Sequence, residues 1–181
     1  MADAQQAMDL GDFKRGGAEF SVCGRYRYTL WRRWKATGPG ATFCMLNPSS
    51  ADADDDDPTV TRCVGFATLW GCSSVLVINP SALISTSPLG LLESSDPIGP
   101  VNQDVLDSAM VNSSGLDEPF VVGWGTHRSP KLRRYIADRG EAIRDGARTL
   151  GVTLQCLGKN QDGSPKHPLY LATTTQLEAW P

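Results

Sequence analysis

The chain has 181 residues, of which 40% are hydrophobic, and this size and composition suit one compact α/β domain. Its 17 basic and 20 acidic side chains give a net charge of −3, which excludes the global positive field typical of many nucleic-acid-binding proteins. The sequence has no run of about 18 apolar residues, so we expect no membrane span and no membrane partner.

The N-terminal stretch is polar and has neither the basic start nor the apolar run of a secretory signal. We therefore expect a flexible lead-in over residues 1–20, followed by a single domain over 21–181. The five cysteines are an odd number without a CxxC pair, and Cys44 and Cys156 lie in apolar runs typical of small core residues. This pattern favours reduced thiols and a cytoplasmic location over a disulfide framework or a zinc site.

The first predicted element is the stretch RYRYTLWRRW at 25–34, where large apolar and basic residues alternate with the period of a half-buried strand. Its basic face is formed by Arg25, Arg27, Arg32 and Arg33. Two interpretations remain open for this face. It is either a solvated edge strand or a strip that contacts phosphate groups between aromatic neighbours.

A parallel βαβ unit is predicted over residues 41–79. A short buried strand at 41–46 leads through a polar loop to a helix that begins at Pro58, where Asp57 can act as the N-cap. The helix ends at Gly71, and a second buried strand covers 74–79.

Strands and helices continue to alternate along the rest of the chain. The predicted elements are a short helix at Pro88, a helix from Asn102 or Asp104 to Ser114 or Gly115, a buried strand at 119–124, an amphipathic helix over 131–151 and a strand at 152–157. This alternation predicts a three-layer α/β/α sandwich around a mostly parallel sheet of four to five strands.

Polar clusters follow the carboxyl ends of all four predicted buried strands. They are Asn47-Pro48-Ser49, Asn79-Pro80-Ser81, Gly125-Thr126-His127 and Lys166-His167-Pro168. In open α/β sheets, ligands bind outside the carboxyl ends of the strands. We therefore expect these loops to form a binding site at one edge of the sheet.

An acidic loop with five aspartates within six residues, 52–57, follows the first buried strand. The repulsion among these five carboxylates is tolerable only if most of them are solvated or some lie next to a cation or a helix N-terminus. Asp54 and Asp55 are typical of a solvated run, whereas Asp52, Asp56 and Asp57 lie next to the strand or the helix and are the candidates for a site. Magnesium held by Asp56, Asp57 and waters is one interpretation, and a solvated loop with Asp57 as N-cap is the other.

Asn47 and Asn79 each end an apolar strand and precede Pro-Ser. An amide side chain has donors and an acceptor, so it can match the edge of a nucleobase or hold an attacking water. Alternatively, each asparagine satisfies backbone groups of its own turn.

His167 precedes Pro168, which rigidifies the loop. A neutral imidazole there can hydrogen-bond a developing anion or transfer a proton, unless it is an ordinary surface histidine. His127 has the same two interpretations. Trp124 can stack on a flat ring or serve packing alone.

Six motifs together resemble the family catalogued as domain of unknown function 1643. They are YRYTLWRRW, MLNPSSADADDDDPTVTRCVGFATLWG, VINPSAL, DPIGPVNQDVL, VVGWGTH and LGKNQDGSPKHPLYL, and the resemblance spans residues 24–172. It implies a bacterial or phage protein, and it implies no established reaction.

The order of the loops is more distantly similar to the uracil-DNA glycosylase superfamily. That resemblance implies that Asn47 positions an attacking water, Asn79 reads the base edge and His167 stabilises the departing base. The sequence departs from the superfamily pattern in two loops. NPSSADADDDD replaces a glycine-rich first loop, and the His-Pro loop lacks a serine after the proline.

These observations predict a nucleobase- or nucleotide-processing protein, foremost a DNA-glycosylase-like hydrolase of an N-glycosidic bond. The predicted catalytic residues are Asn47, Asp52 and His167, and the predicted substrate-binding residues are Ser49, Arg62, Asn79, Trp124, Gly125, His127 and Lys166. Arginines at 25, 27 and 128 can hold the phosphates of a nucleic-acid partner. The alternatives are a metal-dependent hydrolase of a phosphorylated small molecule or nucleotide, with Mg²⁺ as cofactor, and a non-catalytic module that binds a modified base.

Overall fold

The computed structural model describes residues 15–181. Its strands are β1 (Arg15–Phe20), β2 (Arg27–Arg33), β3 (Gly40–Cys44), β4 (Ser74–Ile78), β5 (Phe120–Val122), β6 (Leu154–Cys156) and β7 (Glu178–Ala179). Its α-helices are α1 (Pro58–Leu69), α2 (Asn102–Gly115) and α3 (Pro130–Leu150), and two short 3₁₀ helices cover Pro88–Leu92 and Pro168–Tyr170.

The described strands form one seven-stranded sheet in the order β1-β2-β4-β3-β5-β6-β7. Strands β4, β3, β5 and β6 are parallel to one another, and they are the four buried strands predicted from the sequence. Strands β1, β2 and β7 are attached antiparallel to their neighbours. The expectation of a mostly parallel sheet of four to five strands is therefore wrong, because the sheet is mixed and larger.

Strands β1 and β7 were not predicted because their residues are not fully buried. Residues in β1 and β7 are exposed or half-buried, so neither strand shows the apolar alternation that indicates burial. Because β1 pairs with β2, β2 is an inner strand and not the edge strand that its basic face suggested. Of the lead-in expected over 1–20, residues 1–14 lie outside the described residues and 15–20 form β1.

Helices cover both faces of the sheet and produce two hydrophobic cores. On one face, α1 packs Val60, Cys63 and Phe66 against strand residues such as Phe43. On the other face, the buried side chains of α2 and α3 pack against Cys44 and the alternate residues of the parallel strands. Adjacent positions such as 43 and 44 serve opposite cores because successive strand side chains point to opposite faces.

The helix ends follow the predicted capping chemistry. The Asp57 Oδ1 atom accepts a hydrogen bond from the Val60 amide at 2.8 Å, and Pro58 occupies the first turn of α1. Helix α3 ends at Gly151, whose φ of 69° is the left-handed conformation that glycine adopts without a steric penalty. The predicted start of α1 is confirmed, whereas α1 ends at Leu69, two residues before the predicted Gly71.

Two glycines bring the loop before Pro168 against the end of β5. A Cβ atom at Gly123 would lie 3.0 Å from the Pro168 side chain, and one at Gly125 would lie 3.2 Å from the His167 Cβ. Gly125 also has a φ of 73°, and its amide donates a hydrogen bond to the Pro165 carbonyl at 3.0 Å. A larger residue at either position would push the loop that contains His167 away from the sheet edge.

All five cysteines are free thiols, and each except Cys23 is buried. Burial raises the pKa of the Cys44 thiol well above its ordinary value, which makes that thiol unreactive. Among the described residues, no helix combines the length and apolar character needed to cross a bilayer.

Candidate functional site

A cavity of about 170 Å³ lies at the carboxyl edge of the parallel strands. Asn47, Asn79, Trp124 and His167 line it, and each comes from the loop after a different parallel strand. The expectation that these loops converge at one sheet edge is met. An engineered cavity of about 150 Å³ holds one benzene ring. This cavity therefore has room for a single six-membered ring.

Asn79 is the most unusual group in the cavity. It is 1% exposed, and neither its Nδ2 nor its Oδ1 atom has a hydrogen-bond partner among residues 15–181. Its backbone is fixed, because the carbonyl accepts a hydrogen bond from Asn102 Nδ2 at 2.8 Å. A buried polar group without a partner costs about 1–3 kcal/mol of stability. The side chain therefore offers one donor group and one acceptor to a bound molecule.

Asn47 follows the same sequence pattern but has a different role. Its Nδ2 atom donates hydrogen bonds to the carbonyls of Pro48, at 2.9 Å, and Ser85, at 2.8 Å. Both amide hydrogens are thereby used: one bond stays within the loop after β3, and the other ties that loop to the loop after β4. Its Oδ1 atom remains as an acceptor at the cavity wall.

The imidazole of His167 is held as a neutral hydrogen-bond donor. Its Nδ1 atom accepts a hydrogen bond from the Leu169 amide at 3.2 Å, so the proton of the neutral ring lies on Nε2. Burial lowers the pKa of His167, and the nearby Asp57 carboxylate only partly opposes this shift. At neutral pH the ring therefore carries no charge and keeps its Nε2–H group for a ligand.

A buried cation, Arg27, lines the same cavity. Its side chain is held by a hydrogen bond from Nη1 to the Ala51 carbonyl at 2.6 Å, while Nε has no partner. Burial lowers the pKa of Arg27 to about 10, and the carboxylate of Asp57 opposes this shift. The guanidinium stays charged at neutral pH. The sequence predicted either a solvated edge strand or a phosphate-contacting strip for Arg27, and neither interpretation anticipated its burial.

Most carboxylates of the acidic loop have structural roles. Asp52 Oδ1 accepts hydrogen bonds from the amides of Asp54 and Asp55, both at 2.9 Å, and these bonds lower the pKa of Asp52. Asp56 forms an ion pair with Arg32 at 2.8 Å. Asp52 and Asp56 do not line the cavity, and within residues 15–181 no three His, Cys, Asp or Glu side chains are grouped to hold a metal ion.

Asp57 is the one aspartate of the loop that reaches the cavity. One of its oxygens caps α1, and the other makes no hydrogen bond within the described part of the chain. Its charge acts on both Arg27 and His167, which places the three ionisable groups close together. The residue predicted as a metal ligand is thus a carboxylate beside a cation and a neutral imidazole.

The remaining predicted site residues divide into two groups. Ser49 lines the cavity, and Gly125 contacts His167 from behind. Three others do not line the cavity. His127 accepts a hydrogen bond from the Ser129 amide at 3.1 Å, and Lys166 is exposed. Arg62 donates a hydrogen bond to the Leu171 carbonyl. Arg62 thereby connects α1 to the segment just after the 3₁₀ helix that follows His167, and so supports the cavity from outside.

Two parts of the wall had no prediction. Thr59 in the first turn of α1, and Ser85 and Thr86 after β4, add hydroxyl groups to the cavity. The polar run STS at 85–87, in the loop that follows β4, was the available signal. Trp124 is 4% exposed and is fixed edge-on against Trp180, with ring centroids 5.1 Å apart. It is a rigid wall of the cavity.

Comparisons with known proteins identify the family of the chain. A family model described as Protein of unknown function (DUF1643) matches residues 27–169, a range that contains the whole lining of the cavity from Arg27 to His167. No curated protein and no solved structure matches the chain, and the likeness to the uracil-DNA glycosylase superfamily gains no support. The protein belongs to the DUF1643 family.

Proposed function

We propose that the protein hydrolyses the N-glycosidic bond of a pyrimidine nucleotide whose base occupies the cavity. The observation that carries the proposal is the buried amide of Asn79, which has no hydrogen-bond partner within residues 15–181. An amide with one free donor group and one free acceptor complements the edge of a base, where a carbonyl or ring nitrogen adjoins an N–H group. The size of the cavity favours one ring over the two fused rings of a purine.

The groups around Asn79 suit the departure of a base. As the bond between C1′ and the base nitrogen breaks, its electron pair moves onto the base. The Nε2–H group of His167 donates a hydrogen bond to the base oxygen that gains negative charge, and the Arg27 guanidinium stabilises the same charge at longer range. A donor that is neutral and fixed beforehand by Leu169 requires no reorganisation during the reaction.

Two acceptors are available for the attacking water. Asn47 and Asp57 both line the cavity, and the Asn47 Oδ1 atom and the second oxygen of Asp57 accept no hydrogen bond from any residue of 15–181. The water oxygen forms the new bond to C1′, and one of its protons passes to the Asp57 carboxylate and from there to the released base. This scheme uses no metal ion.

Base release is the direct test. The purified protein is incubated with single-stranded oligonucleotides that each carry one uracil or modified pyrimidine, and with the matching nucleosides. Free base is then measured by mass spectrometry. We expect release from at least one substrate, and a decrease of about a hundredfold in Asn79→Ala, comparable to the loss of one preorganised donor. Asp54→Ala, in the solvated part of the acidic loop, is the control and retains activity.

Two results would contradict the proposal. If a pyrimidine binds but is never released, the site belongs to a non-catalytic recognition module. If calorimetry detects no pyrimidine binding and no release occurs from any substrate, the cavity is not a base site.

A further inference from the structure

A basic surface lies beside the cavity, at the start of α3. Residues 119–137 contain no acidic residue and four basic residues, Arg128, Lys131, Arg133 and Arg134. The whole chain has a net charge of −3, so this concentration of positive charge is local. A basic stripe of this kind is the electrostatic footprint of a polyanion-binding site.

The four cations of the basic surface are not neutralised by the fold. All four are exposed, and none of their side chains forms a hydrogen bond or ion pair with any other residue of 15–181. The second half of α3 differs, because Arg144 pairs with Glu141 and Arg148 pairs with Asp145 at 2.8 Å. The same helix therefore has unpaired cations at its start and paired charges in its second half, although the pair of Arg144 and Glu141 also borders the groove at the start of the helix.

A groove connects the basic surface to the cavity. Arg133, Arg134 and Arg144 line a groove of about 490 Å³. The groove also has two carboxylates, and both already have partners: Glu141 pairs with Arg144, and Asp162 accepts hydrogen bonds from the hydroxyls of Thr126 and Ser164. Trp124 lines both this groove and the cavity, so one indole separates the two. The loop that contributes Ser164 to the groove also contributes His167 to the cavity. A chain bound along the groove would pass the mouth of the cavity.

We infer that the basic surface binds the phosphates of a single-stranded nucleic acid and so delivers one nucleotide to the cavity. The role of that nucleotide rests on the proposed function, whereas the binding of phosphates does not. The acidic loop, whose Asp57 lines the cavity, has the exposed carboxylates of Asp54 and Asp55, which repel a second phosphate backbone. This asymmetry favours one strand over a duplex.

The test compares two single charge reversals. Binding of a short fluorescent oligonucleotide, as DNA and as RNA, is measured by anisotropy over a range of salt concentrations. Arg134→Glu changes the groove, and Lys35→Glu makes the same charge change in the exposed turn after β2, at the opposite edge of the sheet. We expect Arg134→Glu to weaken binding about tenfold and to reduce the salt slope by about 1, and Lys35→Glu to change affinity less than about twofold.

Parallel calorimetry with free pyrimidines separates this inference from the proposed function. Selective loss in Arg134→Glu, with unchanged binding of the free base, supports the basic surface. Equal losses in both variants, or no oligonucleotide binding at low salt, overturn the inference even if the cavity binds a base. If the oligonucleotide binds selectively but no base binds or is released, the basic surface stands and the proposed function fails. Tighter binding of a matched duplex than of either single strand also overturns the inference.

Discussion

The acidic loop and the amide of Asn79 are the two most instructive regions to compare. The acidic loop is the most conspicuous feature of the sequence, yet its carboxylates cap a turn, pair with Arg32, cap α1 or face solvent. Asn79 carries no charge, yet both its polar atoms are buried without a partner at a cavity. The difference teaches that unsatisfied bonding capacity indicates a binding group better than charge does.

The two asparagines repeat this comparison at close range. Both end a parallel strand and precede Pro-Ser, so the sequence does not distinguish them. In the structure, Asn47 uses one amide hydrogen within its own loop and the other to join a second loop, whereas Asn79 uses neither within residues 15–181. One residue therefore holds the site together, and the other faces the ligand.

The largest expected effect comes from Asn79→Leu. An apolar side chain of similar size removes two unsatisfied buried atoms, so the free energy of unfolding should increase by about 1–3 kcal/mol. Base binding should fall at least about a hundredfold, because the recognition edge is lost. Urea denaturation and calorimetry measure the two quantities on the same protein.

Asn47→Leu is the matched control and should have the opposite effect on stability. It removes two hydrogen bonds and leaves the Ser85 carbonyl without its donor from within residues 15–181, so the free energy of unfolding should fall by about 1–3 kcal/mol. If both variants lose similar stability, the two asparagines do not differ in the way described above.

A smaller effect separates two residues within the acidic loop. Asp57→Ala removes the cap of α1 and should lower the free energy of unfolding by about 1 kcal/mol. Asp54→Ala changes an exposed side chain that makes no hydrogen bond within 15–181, and should change stability by less than about 0.5 kcal/mol. Thermal or urea unfolding measures the stability of both variants. A larger loss of stability in Asp54→Ala than in Asp57→Ala would contradict this account.

The smallest expected effect is a pH dependence that belongs to His167. Burial lowers its pKa in the folded state below the ordinary 6.5, so the unfolded chain binds more protons between these two values. The resulting stability is present above about pH 6.5 and is lost as the pH falls through the folded pKa. Asn at position 167 keeps an acceptor for the Leu169 amide but does not titrate.

Urea unfolding at several pH values checks this dependence. The stability of the wild-type protein relative to His167→Asn should decrease as the pH falls below about 6.5. A relative stability that rises on acidification would show that the imidazole is not held in its neutral form.

Local sequence patterns predicted the centre of the fold and not its margins. The four parallel strands are apolar runs, and α1 begins with Asp57 and Pro58, so their signals lie within a few residues. Strands β1 and β7 are exposed, and they exist because β2 and β6 offer pairing edges elsewhere in the chain. No local pattern contains that information.

The same limit applies to the candidate site. The sheet-edge rule predicted that Asn47, Asn79 and His167 converge, because strand ends determine where loops emerge. It did not predict the burial of Arg27, which depends on a hydrogen bond to the distant Ala51 carbonyl. It also did not predict the turn at Asp52, which depends on a hydrogen bond from the nearby Asp54 amide. Which polar atoms remain unpaired becomes known only when every partner has been placed.

The most direct measurement of the central claim is an NMR titration of the side-chain amides with a free pyrimidine. Asn79→Leu and Asn47→Leu assign the two NH₂ resonances by their disappearance. The account predicts that the Asn79 amide shifts on addition of the pyrimidine as its Nδ2 gains an acceptor, while the Asn47 amide, already bonded to two carbonyls, moves far less. An Asn79 amide that stays unchanged at saturating pyrimidine would contradict it.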